Sequence, residues 1–243
     1  MTLPRLGFEG GNTPFYLSMP KEEYYKGSHW RREYPPLSLI QLQRMIDTGR
    51  VDKDEVIDLT ALCNSGLYRL DLNNSKDFGV QLTDEGADIF DAQINIEVQH
   101  ADEVTIAAIE RCGGTITTRY YDPICLHAIV DPMRFFKAGK PIPRCLFPPQ
   151  DAVGYYTDPK FRGYLADPDE IAKARLELAQ KFGYNLPDLS KDPKFEMLKK
   201  RKDPRQIFFG LAPGSIVNLV EKCVLKPKGN HPDAKYLVDF YSS

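Results

Sequence analysis

A strand–helix–strand pattern in the middle of the chain constrains its fold more than any other feature. Residues 94–98 alternate apolar and polar side chains, which is the period of a half-buried strand. A helix follows from Asp102 and ends at the glycine pair 113–114, and a second strand begins at Ile116. Because two strands joined by one helix favour a right-handed parallel crossover, the sequence predicts a small α/β core.

Capped helices are predicted on both sides of this core. Ser38 and Gln41, three residues apart, form a capping box that begins a helix ending near residue 49. Asp167 caps a longer helix that ends near residue 183. Shorter helices are predicted at two further places, residues 193–201 and 215–222.

The chain changes character at residue 122, where prolines and aromatic residues become frequent. Prolines break regular structure and aromatic side chains need cover, so we expect part of this segment to wrap over a surface. The sequence therefore predicts three parts. These are an extended segment at 1–34, an α/β globular domain at 35–120, and a largely helical C-terminal extension at 121–243 rich in proline and aromatic residues.

Charge is distributed unevenly although the formal net charge is only −2. Residues 51–110 carry 14 acidic and 3 basic side chains, whereas residues 190–230 carry 10 basic and 4 acidic ones. Such asymmetry can orient a protein on RNA, with the acidic part facing solvent or a basic neighbouring protein. A solvated acidic surface with no partner is the simpler alternative.

Residues 7–16, which we call the hook, combine glycines with flat aromatic side chains. The glycines allow positive φ and a close approach of the main chain to another surface, and aromatic rings can stack on bases. An ordinary N-terminal loop is the alternative. The hook residues predicted to contact RNA are Gly7, Phe8, Gly10, Gly11, Phe15 and Tyr16.

Basic residues accompany the hook and recur near residue 200. Guanidinium groups can bind phosphate through two parallel hydrogen bonds and can also stack on bases. The alternatives are a tryptophan packed against the domain with its arginines in solvent, and a solvated helix end. The predicted RNA-binding residues of these two clusters are Arg5, Lys21, Trp30, Arg31 and Arg32, then Lys199, Lys200, Arg201 and Lys202.

No motif for catalysis, metal binding or a cofactor is present. The hook lacks the Gly-Lys-Ser/Thr of a phosphate-binding loop, and the five cysteines form no CxxC pair. We therefore predict reduced structural thiols, no metal, no cofactor, no small-molecule substrate and no enzymatic activity. No apolar run approaches the roughly 18 residues of a membrane span, so no membrane partner is expected.

Three stretches of the sequence resemble the family of large-subunit ribosomal protein fifteen. The hook motif Gly7-Phe8-Glu9-Gly10-Gly11-x-x-Pro14-Phe15-Tyr16 is similar to the linker of that family. The similarity continues through Ile57-Asp58-Leu59-Thr60 to Gly113-Gly114-x-Ile116. The second half, including Arg162-Gly163-Tyr164-Leu165, resembles the extension of the animal mitochondrial members.

The resemblance implies a structural constituent of the mitochondrial large ribosomal subunit that binds ribosomal RNA beside neighbouring mitochondrial ribosomal proteins. Family members carry a long basic arm before the hook, and we expect this chain to lack it because six residues precede Gly7. No mitochondrial targeting segment is visible. The alternative from another class is a protein-interaction module that uses its acidic face and contacts no RNA.

Overall fold

The computed structural model describes residues 3–19, 31–72, 76–226 and 240. It contains two compact units, residues 1–31 and 32–243. The described part of the first unit contains one short helix, α1 (Phe15–Ser18). No helix within the described ranges is long and apolar enough to cross a membrane. The boundaries that the sequence suggests at residues 34 and 120 stay predictions.

The second unit is built mainly from parallel strands with helices between them. Its strands are β1 (Pro36–Ser38), β2 (Val56–Ile57), β3 (Gln81–Thr83), β4 (Asn95–Val98), β5 (His100–Ala101), β6 (Thr115–Thr118), β7 (Ile216–Asn218) and β8 (Cys223–Leu225). Its helices are α2 (Leu39–Asp47), α3 (Leu59–Asn64), α4 (Glu103–Arg111), α5 (Pro123–Val130), α6 (Pro132–Lys137), α7 (Gln150–Thr157), α8 (Pro168–Phe182) and α9 (Phe195–Lys199). Two 3-10 turns are formed by Pro159–Phe161 and Leu189–Lys191.

Two parallel three-stranded sheets form the core, in the orders β1-β3-β5 and β2-β4-β6. Strands β4 and β6 are joined by α4 and pair in parallel, with Asn95 opposite Thr115 and Val98 opposite Thr118. Helix α4 buries Ile106 and Ile109 in the same hydrophobic core. This arrangement confirms the α/β class and the predicted strand–helix–strand unit.

The helix boundaries follow from local capping chemistry. The Oγ of Ser38 accepts a hydrogen bond from the N–H of Gln41 at 3.3 Å, which begins α2 as predicted. Helix α8 also matches its prediction and ends at Gly183. The carboxylate of Asp167 precedes α8 but makes no capping hydrogen bond within the described residues.

The expectation that prolines break regular structure after residue 122 is wrong at two helices. Pro123 and Pro132 stand in the first turns of α5 and α6. A proline is tolerated there because the N–H that it lacks would have no partner inside the helix, and its fixed φ suits the first turn. These prolines begin helices.

The helix predicted at residues 215–222 is also wrong, because this segment belongs to the antiparallel hairpin of β7 and β8. The side-chain oxygen of Asn218 accepts the N–H groups of Val220 and Glu221, at 3.0 and 3.2 Å. This local turn ends β7 and directs the chain into β8.

Strand β4 is buried on both faces, whereas its alternating pattern predicts a half-buried strand. The C-terminal half supplies the second cover. The side-chain amide of Asn95 donates to the carbonyls of Met197 and Lys200, at 2.8 and 2.9 Å. On β6, the hydroxyl of Thr115 donates to the carbonyl of Leu198 at 2.9 Å. The polar residues of the sheet are therefore satisfied by the main chain around α9.

Candidate nucleic-acid interface

The hook is exposed along its length apart from the half-buried Pro14. Its three glycines all have positive φ, with values of 84° at Gly7, 60° at Gly10 and 91° at Gly11. Side chains other than glycine rarely adopt these angles, so the path of the hook depends on its glycines. The carboxylate of Glu9 accepts the N–H of Phe15 at 3.2 Å.

Apolar side chains project into solvent throughout residues 3–19. The rings of Phe15 and Tyr16 lie edge to face, with centroids 6.2 Å apart, and are 63% and 50% exposed. Each of the following is at least half exposed: Leu3, Leu6, Phe8, Phe15, Tyr16, Leu17 and Met19. A surface of this kind is typical of a binding site, because an apolar group gains free energy when a partner covers it. Arg5 lies exposed among these side chains.

The basic cluster after the hook divides into residues with different surroundings. Lys21 and Trp30 lie outside the described residues. Arg31 is exposed. Arg32, in contrast, donates two hydrogen bonds to the carboxylate of Asp151, at 2.8 and 3.2 Å. This hydrogen bonding raises the pKa of Arg32. The guanidinium also lies 5.7 Å from the ring centroid of Phe78, so Arg32 has partners within its own chain.

Three residues of the second basic cluster reach the surface. Lys199 and Lys200 are exposed, and their ammonium groups lie over the rings of Phe195 and Phe209, at 5.5 and 5.1 Å from the centroids. The side chain of Arg201 is exposed in part, while desolvation of its guanidinium, with Arg175 nearby, lowers its pKa. These cations stay candidates for an RNA contact.

Lys202 occupies a different environment, because its ammonium group is fully buried. The Nζ atom donates to Asp58 Oδ2, to Glu97 Oε1 and to the hydroxyl of Tyr121, each at 3.1 Å. It also lies 4.8 Å from the ring centroid of Phe209. An ammonium with these partners stabilises the fold and is not accessible to a phosphate, so our proposal below leaves Lys202 out.

The acidic middle of the chain is largely neutralised by the C-terminal half rather than left facing solvent. A buried arginine, Arg119, adds to this network, with Nη1 3.9 Å from Glu97 Oε2. The pairs between the two halves are Asp54–Lys194, Asp58–Lys202, Glu97–Lys202, Glu103–Lys181 and Glu110–Arg162. The uneven charge along the sequence therefore stabilises contacts inside the chain.

Sequence reasoning missed the buried ionic residues, of which Glu97, Arg119 and Arg162 are the most enclosed. One signal was available for Glu97, because a carboxylate between Ile96 and Val98 in a core strand needs a cation if its face is covered. Nothing in the local sequence identified that cation as Lys202.

A metal-ligand grouping occurs within the described residues at Asp122, Cys125 and Cys145, whose ligand atoms all lie within 4.8 Å of one another. These atoms already have protein partners. The Sγ of Cys145 lies 3.5 Å from the carbonyl of Tyr120, and Asp122 Oδ1 accepts the N–H of Leu146 at 3.3 Å. The five cysteines are free thiols.

Comparison with known proteins identifies a ribosomal family. A family model for the ribosomal proteins 50S-L15 and 50S-L18e and their 60S counterpart matches residues 36–117. The large ribosomal subunit protein uL15m of zebrafish, Danio rerio, is 56% identical over 224 residues, which cover 92% of this chain and 75% of that protein. The uL15m of Schizosaccharomyces pombe is 35% identical over 165 residues, covering 68% of this chain and 61% of that protein. The uL15 of the bacterium Acidiphilium cryptum is 36% identical over 112 residues, covering 46% and 65%.

The α/β core that the family model covers and these relatives define the class, a structural ribosomal protein and not an enzyme. The chain belongs to the uL15m family, the mitochondrial uL15 proteins of the large ribosomal subunit. Its function is that of a structural constituent of this subunit, and its location is the mitochondrion. The family, function and location that the resemblance implied are confirmed. The alternative of a non-ribosomal interaction module has no support from these relatives.

Proposed function

We propose that the hook and the basic residues around it hold ribosomal RNA, so that this chain stabilises folded RNA in the mitochondrial large subunit. The observation that carries this proposal is the exposure of Phe8, Phe15 and Tyr16 beside main chain that three positive-φ glycines shape. Stacking on an aromatic ring suits any base, and glycine lets the main chain approach a sugar-phosphate backbone.

RNA suits this surface better than a protein partner does, because its few charged groups favour a polyanion. Residues 3–19 contain one cation, Arg5, and one anion, Glu9, whose carboxylate is engaged with the N–H of Phe15. Further cations follow in the sequence at Lys21, Arg31 and the partly engaged Arg32. In this proposal the hook stacks on RNA while arginine and lysine side chains neutralise phosphates.

The second basic cluster and the C-terminal extension belong to the same proposal in a secondary role. Lys199, Lys200 and Arg201 offer phosphate contacts on the surface of the extension. Other exposed parts of residues 121–243 face neighbouring mitochondrial ribosomal proteins. The three-part division at residues 34 and 120 is also part of this proposal.

The test is sedimentation of a tagged chain from mitochondrial lysate on a magnesium-containing gradient, with and without ribonuclease. The variant replaces Phe8, Phe15 and Tyr16 by alanine. The control replaces three exposed apolar residues of the second unit, Leu67, Ile89 and Ile124, by alanine. Each lost base stack costs about 1–3 kcal/mol, so the hook variant should bind at least about tenfold more weakly.

We expect the wild-type chain and the control to migrate with the large subunit and to leave it after ribonuclease treatment. The hook variant should leave it at a lower salt concentration. If the hook variant and the control are released at the same salt concentration, the hook does not hold RNA.

A further inference from the structure

A cavity of about 710 Å³ opens beside α8, outside the hook and its neighbouring cations. Its walls combine apolar side chains, such as Ile171 and Phe195, with the cations Arg175, Lys199 and Arg201. Cavities of this size commonly hold small molecules when a few polar groups converge in them.

Positive charge at this cavity is only partly neutralised. Glu110 is the buried carboxylate of its wall, and it already binds Arg162 through two hydrogen bonds at 2.8 and 3.0 Å. The same Oε1 atom of Glu110 lies 3.3 Å from Nε of Arg175. One carboxylate therefore serves two guanidinium groups.

The remaining hydrogen-bond donors of these arginines lack acceptors. Nη2 of Arg175 is buried and has no hydrogen-bond partner among the described residues. Arg201 has no carboxylate partner within the same described ranges, and the nearness of Arg175 adds to the burial that lowers its pKa. Two guanidinium groups that repel each other in a partly desolvated place are stabilised when an anion binds between them.

We propose that this cavity binds the phosphate group of a nucleotide, with Arg175 and Arg201 as its donors and Phe195 as an apolar wall. A phosphate offers enough oxygen atoms to accept from both guanidinium groups at once. The phosphate belongs either to a free nucleotide or to a nucleotide within an RNA chain. Only the second source rests on the RNA contact proposed above.

The test is isothermal titration calorimetry of the purified full chain with two probes, adenosine monophosphate and a single-stranded RNA of ten adenylates. The variants are Arg201→Gln, which breaks no ion pair among the described residues, and Arg175→Gln. The matched control is Lys173→Gln, which removes one positive charge from an exposed position of the same helix.

We expect Arg201→Gln and Arg175→Gln each to weaken phosphate binding by about tenfold or more, and Lys173→Gln to leave it nearly unchanged. Weaker binding of both probes indicates a site open to free nucleotide. Weaker binding of the RNA alone identifies RNA as the source of the phosphate. Equal binding by Arg201→Gln and wild type, or equal losses in all three variants, overturns the proposal. The alanine variant of the hook should retain the cavity's phosphate affinity, which separates failure here from failure of the hook.

Discussion

Arg162 donates from Nε and Nη2 to the two carboxylate oxygens of Glu110, at 2.8 and 3.0 Å, and both side chains are 2% exposed. Glu110 belongs to α4 of the family core, while Arg162 lies in the extension. Arg162 also adopts a left-handed conformation with φ of 57°, which a residue with a Cβ atom holds only when its surroundings require it. Core and extension therefore share a buried ion pair within one compact unit.

Removing one partner of this pair should destabilise the protein strongly. Arg162→Met leaves Glu110 buried with only the longer contact to Arg175, and loss of one partner of a buried pair costs about 3–5 kcal/mol of unfolding free energy. Urea denaturation measures the change. The control is Lys191→Met, which removes an exposed pair with Asp188 and should have little effect. Equal midpoints for the two variants would contradict the structural role of Arg162.

Gly163 should tolerate no side chain, because a Cβ atom there would lie 2.1 Å from the carbonyl oxygen of Tyr156. Gly163→Ala must displace main chain beside β6, so we expect a loss of several degrees in melting temperature. The control is Gly154→Ala inside α7, where a Cβ atom meets nothing within 4 Å. Alanine favours a helix by about 0.5–1 kcal/mol over glycine, so this control should raise the melting temperature. Scanning calorimetry of both variants decides the point.

The local structure of the family core could be predicted because its signals are short-range. Ser38 caps its helix through a residue three positions away, and the alternation around Ile96 belongs to one strand. Such patterns depend on neighbours in the sequence, and the structure confirms them.

What covers that core could not be predicted, because it depends on contacts between distant residues. Lys202 belongs to a run of four cations that suggests a phosphate-binding surface, yet its ammonium group binds Glu97, 105 positions away. Arg32 likewise stands in a basic pair, but Asp151, 119 positions away, engages its guanidinium. A single sequence shows how many charges a segment has and does not show which charges meet.

The ion pair of Glu97 should make stability depend on acid pH. Burial alone would raise the pKa of Glu97, but Lys202 and Arg119, with hydrogen bonds from Tyr121 and Lys202, outweigh it and lower the pKa below its ordinary value of 4.5. A carboxyl with a lowered pKa in the folded state stabilises the protein above its unfolded-state pKa, and this contribution is lost as pH falls through the folded-state pKa.

The measurement compares wild type with Glu97→Gln by urea denaturation across the acid range. Wild type should be the more stable at neutral pH, with a difference in unfolding free energy that stays constant there. The difference should shrink once the pH falls below 4.5. A difference that stays constant throughout the acid range would show that Glu97 does not have a lowered pKa.

Single substitutions of Arg31 and Arg32 should have different consequences, although the two residues are adjacent. Arg31 is exposed, so Arg31→Ala should weaken RNA binding and leave the melting temperature unchanged. Losing one phosphate contact should reduce the slope of log affinity against log salt by about 0.7–0.9. Arg32 hydrogen-bonds to Asp151 and lies over Phe78, so Arg32→Ala should lower the melting temperature and reduce the slope less. Salt titration of RNA binding and calorimetry on both variants test this, and an unchanged slope for Arg31→Ala would remove Arg31 from the RNA-binding surface.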